Sequence, residues 1–360
     1  MTKKVKILAH VAGFLIGASG GFLLVILTPW DNWINVLLGF TVLITGFILH
    51  VFIHELGHMV AGMMSGYGFV SIRFFNLTII KKDGKLMRKN YKIAGTLGQC
   101  LMSPPEPVDG KYPFVLYNLG GGLMNFVFSA VFLALYFVFA PFTYAWIFIM
   151  LACIGVFLGL LNLIPLNLGI PNDGHNALTL GKDELSRHAL WTILNAAALM
   201  TKGVRHRDIP IEQLFFDDDK LLKKDNNALV LNVANIRFEQ LFDRQEFDKA
   251  KTFAETLLAT AEKMIEIQKN ELRCELLFFE LIGECRKAEI ERLYDKNLKK
   301  YVKATSGYPA RQRLLYTYAK LFLNDEAKAA KILSKFDKTC QSHPFEGEII
   351  QNRELMKNEE

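Results

Sequence analysis

The chain has 360 residues, 51% of them hydrophobic and 22% charged, with a formal net charge of +6. Half-apolar composition is unusual for a soluble protein, and the length allows two or three domains. The basic excess does not point to nucleic acid: no zinc finger, aromatic–basic RNA motif or phosphate-binding Gly-rich loop accompanies it, so no nucleic-acid partner is expected.

In chain order, the first element is a run of 24 positions from Ile7 to Trp30 without Asp, Glu, Lys or Arg. Lys3, Lys4 and Lys6 before it resemble the start of a signal peptide, but the run exceeds the usual apolar stretch of about 7–15 residues, so an uncleaved helix is preferred. A second run of 23 positions, Asn32 to His54, is also free of charge. Phe69 to Ile80 is β-branched and aromatic with partial alternation. Asp83-Gly84 then gives a hairpin-turn signal, and Lys85 to Ile93 would be the return strand. Residues 66–98 therefore read as a small β element, centred on 67–93, near the membrane surface. Tyr112 to Asn172 holds 61 uncharged residues, enough for two crossings at about 20 apolar residues each, with Pro141 at the turn.

Four spans follow, at about 7–28, 33–63, 114–139 and 145–166. The amino terminus and the 81–92 segment are basic, whereas the other two connections carry only Asp31; both termini are therefore expected in the cytosol of an integral protein of the cell membrane. His188 to Thr201 is apolar but only 14 residues long, and reads as an interfacial or re-entrant helix. From about Ile209 the chain is polar and helical in period. Arg244-Gln245-Glu246-Phe247 resembles the turn of a tetratricopeptide repeat. The expected fold is mainly α: a transmembrane helix bundle with a small β element over 1–204, then a cytosolic α-helical hairpin domain over 205–360. The five cysteines form no C-x-x-C pair and read as free thiols.

The chemistry begins at the end of the second run. His54-Glu55-Leu56-Gly57-His58 is an H-E-x-x-H string. On a helix, residues i and i+4 share a face, so both imidazoles can reach one zinc ion, and Glu55 lies close enough to take a proton from a zinc-bound water. Ionisable residues beside an uncharged span are costly and default to a functional reading. Catalytic zinc uses three protein ligands plus water, so a third must come from elsewhere. Asp173 closes the last apolar run, where Pro165, Gly169, Pro171 and Gly174 interrupt the helix. Broken backbone at membrane depth is tolerated where it lines a cavity; the competing reading is an Asp that caps the next helix. His50, one turn before His54, reads as a relay or more simply as a bundle histidine. His175, beside Asp173, is an alternative ligand.

Together, H-E-x-x-H, the Asn162-x-x-Pro165 element and Asp173-Gly174 resemble the motifs of the site-2 protease family of intramembrane metalloproteases. Gly121-Gly122-Leu123-Met124-Asn125 is similar to the family's G-P-x-x-N element, with Gly122 in place of the proline. The resemblance covers about residues 34–180. Asn162 and Asp173 stand 11 apart, a few residues more than is commonest in the family, and no PDZ-like domain is visible. The resemblance implies Zn2+ on His54, His58 and Asp173, Glu55 as the base, and hydrolysis of peptide bonds in or near transmembrane segments of membrane proteins or peptide precursors. Asn125 and Asn162 would hold the unwound substrate or the tetrahedral intermediate; alternatively they make the interhelical hydrogen bonds usual for polar residues in bundles. The β element would pair with an extended substrate strand. The partners expected are the substrate, the lipid bilayer and a protein on the C-terminal helical domain. A non-catalytic membrane adaptor is the alternative function, and a transporter is disfavoured because no inverted repeat is seen.

Overall fold

The structure, a computed structural model, describes residues 18, 21–22, 25–91, 96–166, 171–210 and 216–357. Most of the first expected span, 7–28, lies outside them, as do Ile93 of the expected return strand and 167–170 of the interrupted segment. The described chain is mainly helical with small antiparallel ladders, and it divides into two compact units: residues 1–74 with 97–183, and residues 75–96 with 184–360.

The first unit is built on α1 (Trp33–Met64), α2 (Val115–Val138) and α3 (Trp146–Leu163), three helices long and apolar enough to cross a membrane. Asn32 starts α1 by accepting from the Asn35 backbone amide at 2.9 Å. The buried face of α1 is Asn35, Gly39, Val42, Gly46, His50, Ile53, Gly57 and Ala61, a repeat of three and four residues. That stripe is largely small or polar, while Leu37, Ile44, Ile48 and Phe52 are exposed. Small residues on the inner stripe let backbones approach, and large apolar side chains on the outer face are a pattern that a lipid surround would accommodate. A short helix, α4 (Asp173–Thr179), packs against α2 and α3.

Strand β1 (Gly68–Phe74) pairs antiparallel with β4 (Gly98–Ser103), with Phe74 opposite Gly98 and an irregularity between Phe69 and Ser71. The expected continuous strand over 69–80 is corrected: Phe75 takes a left-handed φ of 53° and ends β1 in a turn. β4 was not expected, since its sequence Gly-Gln-Cys-Leu-Met-Ser has little alternation.

The second unit contains the hairpin of β2 (Leu77–Lys82) and β3 (Lys85–Asn90), in register from Leu77↔Asn90 to Lys82↔Lys85. Its turn residues Asp83 and Gly84 have φ of 50° and 76°, as a type I′ turn demands. The remainder is helical: α5 (Glu184–Thr201), α6 (Asp218–Leu221), α7 (Ala228–Asp243), α8 (Phe247–Thr260), α9 (Glu266–Ile282), α10 (Lys287–Leu293), α11 (Lys296–Ala304), α12 (Pro309–Thr317), α13 (Glu326–Ser342) and α14 (Glu346–Lys357). Side-chain caps set several starts: Asp217, Asn227, Asp295 and Asp325 each accept from a backbone amide two or three residues on. The unit begins at Glu184, not at 205, because Ala189, Ala196 and Met200 of α5 are buried in one core with Val230, Leu231 and Ala234 of α7. The apolar 188–201 run is therefore a core face of this unit, which corrects the interfacial reading.

Candidate metal centre

Helix α1 carries His54 and His58 one turn apart on its inner side, with ring centroids 4.7 Å apart. Their Nε2 atoms are 3.1 Å apart. Asp173, at the start of α4, brings Oδ2 to 3.2 Å from His54 Nε2 and 3.3 Å from His58 Nε2. The three atoms form a nearly equilateral triangle. Ligands at the ~2.0–2.1 Å of Zn–N and Zn–O bonds in a tetrahedron stand about 3.3–3.4 Å apart. The donor set therefore has the spacing of one face of a tetrahedral zinc site, and it is the one group of three or more His, Cys, Asp or Glu ligand atoms of this kind among the described residues.

The protonation pattern also fits a cation. His58 Nδ1 lies 2.8 Å from the Tyr117 carbonyl oxygen, which can only accept, so Nδ1 holds the proton and the Nε2 lone pair faces the centre. Asp173 Oδ2 faces the same point as the two imidazole Nε2 atoms, so a carboxylate oxygen and two ring nitrogens converge there. His54 Nδ1 is buried with no hydrogen-bond partner.

Glycine lets the elements meet. A Cβ on Gly121 of α2 would come within 2.4 Å of the His54 ring, so that position must stay bare for the imidazole to lie against the helix. A Cβ on Gly174 would stand 2.1 Å from the Leu163 carbonyl oxygen; only glycine lets α4 begin so close to the end of α3. Asn172 braces the same junction. Its oxygen accepts from the amides of His175 and Leu166, both at 3.0 Å, and its nitrogen donates to the carbonyls of Leu161 and Ile164, both at 2.8 Å. The side chain thus uses all its hydrogen-bonding capacity to cap α4 and to satisfy the end of α3 before Pro165. The sequence reading missed Asn172, although an Asn directly before Asp-Gly is an N-cap signal.

Glu55 is buried and sits outside the ligand triangle. Gly98, the first residue of β4, lies directly on it: a Cβ there would be 2.5 Å from Glu55 Oε1. Arg73, buried on β1, donates from Nη2 to the Gly98 carbonyl at 3.3 Å. Arg73 and Gly98 were invisible in the sequence, because only the β1–β4 ladder brings them to Glu55.

Asn125 is 1% exposed and faces His50, with Oδ1 drawn 3.2 Å from His50 Nδ1. His50 Nε2 lies 2.9 Å from the Leu151 carbonyl oxygen and must donate there. A neutral ring then offers a lone pair at Nδ1, which calls for the amide nitrogen of Asn125 on that side. That orientation also gives a partner to Asn125 Nδ2, which otherwise has none. Asn162 Nδ2 donates to Leu158 O at 3.0 Å, within its own helix. The structure therefore brings His54, Glu55, His58 and Asp173 together and engages Asn125 and Asn162 in hydrogen bonds of the bundle.

Comparison with protein-family models, with curated proteins and with solved structures finds no match for this chain.

Proposed function

We propose that the chain is an intramembrane zinc metalloprotease of the site-2 protease type, hydrolysing peptide bonds in or near transmembrane segments of membrane proteins or peptide precursors. The observation that carries this reading is the triangle of His54 Nε2, His58 Nε2 and Asp173 Oδ2, with edges of 3.1–3.3 Å. Three atoms that all present lone pairs to one point repel unless a proton or a cation sits among them, and their spacing suits zinc. Zinc bound there would activate a water and polarise a carbonyl.

The chain's own residues supply the rest. Glu55, next to the first ligand but outside the ligand set, is placed to accept the proton from that water and to pass it to the leaving amine. Asp173 and the histidines fix the geometry, with Tyr117 O orienting His58. β4 pairs with β1 alone among the described strands, so its other edge can take an extended substrate strand beside Glu55. The three apolar helices support a membrane setting for the substrate, and the basic loops support cytosolic termini.

The test is metal content and cleavage together. The full chain, purified in detergent, should hold about one zinc per molecule, and Glu55→Gln should keep the zinc while losing cleavage of co-expressed single-span substrates, read by mass spectrometry of fragments. A metal-free protein, or cleavage untouched by Glu55→Gln, would favour the adaptor reading.

A further inference from the structure

Tyr117, in the first turn of α2, is buried and is bonded at both ends. Its carbonyl oxygen accepts from His58 Nδ1 at 2.8 Å, and its ring lies 5.6 Å from the His58 ring, centroid to centroid. Its hydroxyl reaches β4 and donates to the Cys100 carbonyl oxygen at 3.1 Å. The ring between these two bonds is closely packed. It stacks on Tyr67 at a centroid distance of 4.7 Å and an interplanar angle of 15°. Gly62 of α1 faces it: a Cβ there would stand 3.2 Å from Tyr117 Cδ2, tighter than ordinary contact. All these residues belong to the first compact unit.

Cys100 stands two residues beyond Gly98 on β4, and residues two apart on a strand face the same way. Gly98 is the residue that lies on Glu55. One side chain therefore connects a histidine of the ligand triangle to the strand that passes the base. A peptide paired with the open edge of β4 takes its position from that strand, and its residues repeat every ~3.4 Å. The height of β4 relative to His58, to a fraction of that step, then decides which peptide carbonyl meets the metal. His54, Glu55 and His58 cannot decide it themselves, because α1 sets only their relation to one another.

Resting on the proteolytic reading above, we propose that Tyr117 is a positioning residue that sets the cleavage register: its hydroxyl holds β4 at a fixed height relative to the histidine that its own carbonyl orients. Substrate bound on β4 is thereby presented with one peptide bond at the metal. Both bonds issue from the same residue, so a shift of α2 moves ligand and strand together and preserves their spacing. A small misplacement of the reacting carbonyl is costly in rate, which is why the spacing matters. Tyr67 offers the internal comparison. Its hydroxyl is buried with no hydrogen-bond partner among the described residues, so its contribution is packing.

Tyr117→Phe deletes the hydroxyl and leaves the carbonyl on His58 in place, so zinc content should not change. In full-length protein in detergent, acting on a single-span reporter peptide, kcat should fall about three- to tenfold, the usual loss for one neutral hydrogen bond, with KM moving less than about twofold. Mass spectrometry of the fragments should show new cuts at peptide bonds next to the wild-type one. Tyr67→Phe should cut at the wild-type bond alone. Hydrogen exchange at the Cys100 and Leu101 amides, measured in zinc-stripped Glu55→Gln protein, should quicken about three- to tenfold when Tyr117→Phe is added and stay unchanged when Tyr67→Phe is added. A single, unshifted cut in Tyr117→Phe, at whatever rate, or new cuts in Tyr67→Phe as well, overturns the proposal. Absence of any Glu55-dependent cleavage in the wild type would instead strike at the proteolytic reading. The exchange measurement would then still decide whether Tyr117 fixes β4, and unchanged exchange in Tyr117→Phe overturns that.

Discussion

Each half of this chain buries a cluster of ionisable side chains, and the two clusters are built on opposite rules. In the helical unit every buried anion of the cluster has its cation. Arg313, on α12, pairs with Glu275 and stacks on Phe278 at 3.9 Å, and its Nε donates to Asn352. Arg205 serves Asp243 and Glu354. In the unit of the three long apolar helices, three side-chain atoms crowd together with no cation among the described side chains in contact with them. A buried network that closes on itself is architecture, because the low dielectric leaves no charge uncompensated. One that lacks a positive charge at its centre is a place for something to bind. The contrast lies in charge compensation as well as burial, since the side chains of the triangle are 11–23% exposed and those of the Arg313–Glu275 pair 1–4%.

The contrast breaks first at the ligands. Asp173→Ala removes the one carboxylate of the triangle, and the purified protein should lose most of its zinc and all measurable cleavage. Glu55→Gln, next to the triangle but not in it, should retain zinc and lose about 10²–10⁴-fold in rate, the usual worth of a general base. If both substitutions released zinc alike, Glu55 would belong to the ligand set and the separation drawn here would be wrong.

In the helical unit the matching experiment is Arg313→Leu. It removes the nearer cation of buried Glu275 and leaves only Arg311, whose Nη2 stands 3.7 Å away, which should cost about 1–3 kcal/mol in urea unfolding while leaving zinc content untouched. Replacing Glu275 with Leu as well should recover much of that loss, because a closed ion pair can be exchanged for apolar packing. The ligand triangle admits no such rescue of its function: paired apolar substitutions there remove the site.

An intermediate effect is expected at Gly121. A methyl group there meets the His54 ring at 2.4–2.6 Å. Gly121→Ala should therefore displace the imidazole, weakening zinc retention under a chelator about 10- to 100-fold, the range seen when the support of a ligand is disturbed. Helix content should hardly change, since alanine favours helices. Unaltered zinc retention would mean that the two helices can part without cost.

These sites differ in how far they could be read from the chain. His54, Glu55 and His58 are legible because their relation is local: four residues on a helix fix a shared face. Asp173 is legible at one remove, because a lone carboxylate at a broken apolar run has few structural uses. Gly98 and Arg73 are not, since their place beside Glu55 depends on which strand β1 pairs with, and β4 carries no strand pattern. The hairpin was visible through Asp83-Gly84, but not its attachment to helices more than two hundred residues on, which rests on single contacts such as Lys82 with Glu346. The apolar 188–201 run misled, because a short apolar stretch packs a protein core as readily as it lies on a membrane.

The smallest effect lies at the margin of the closed network and tests how closed it is. Glu239 accepts from Gln351 Nε2 at 3.0 Å, and Gln351 Oε1 in turn meets His206 Nδ1 at 2.7 Å. Burial, opposed by His206 and reinforced by the nearby Glu275, pushes the Glu239 carboxyl up to about 7. The folded state therefore holds a proton that the unfolded chain, with its ordinary value near 4.5, releases. Stability from this group is full below pH 4.5 and falls as pH rises through about 7. Glu239→Gln fixes the neutral form, so it should stabilise the protein against urea by about 1–2 kcal/mol at pH 8 and by almost nothing at pH 5. A gain of equal size at both pH values would trace it to packing, and no gain at pH 8 would place the Glu239 charge among satisfied partners, as well compensated as Glu275.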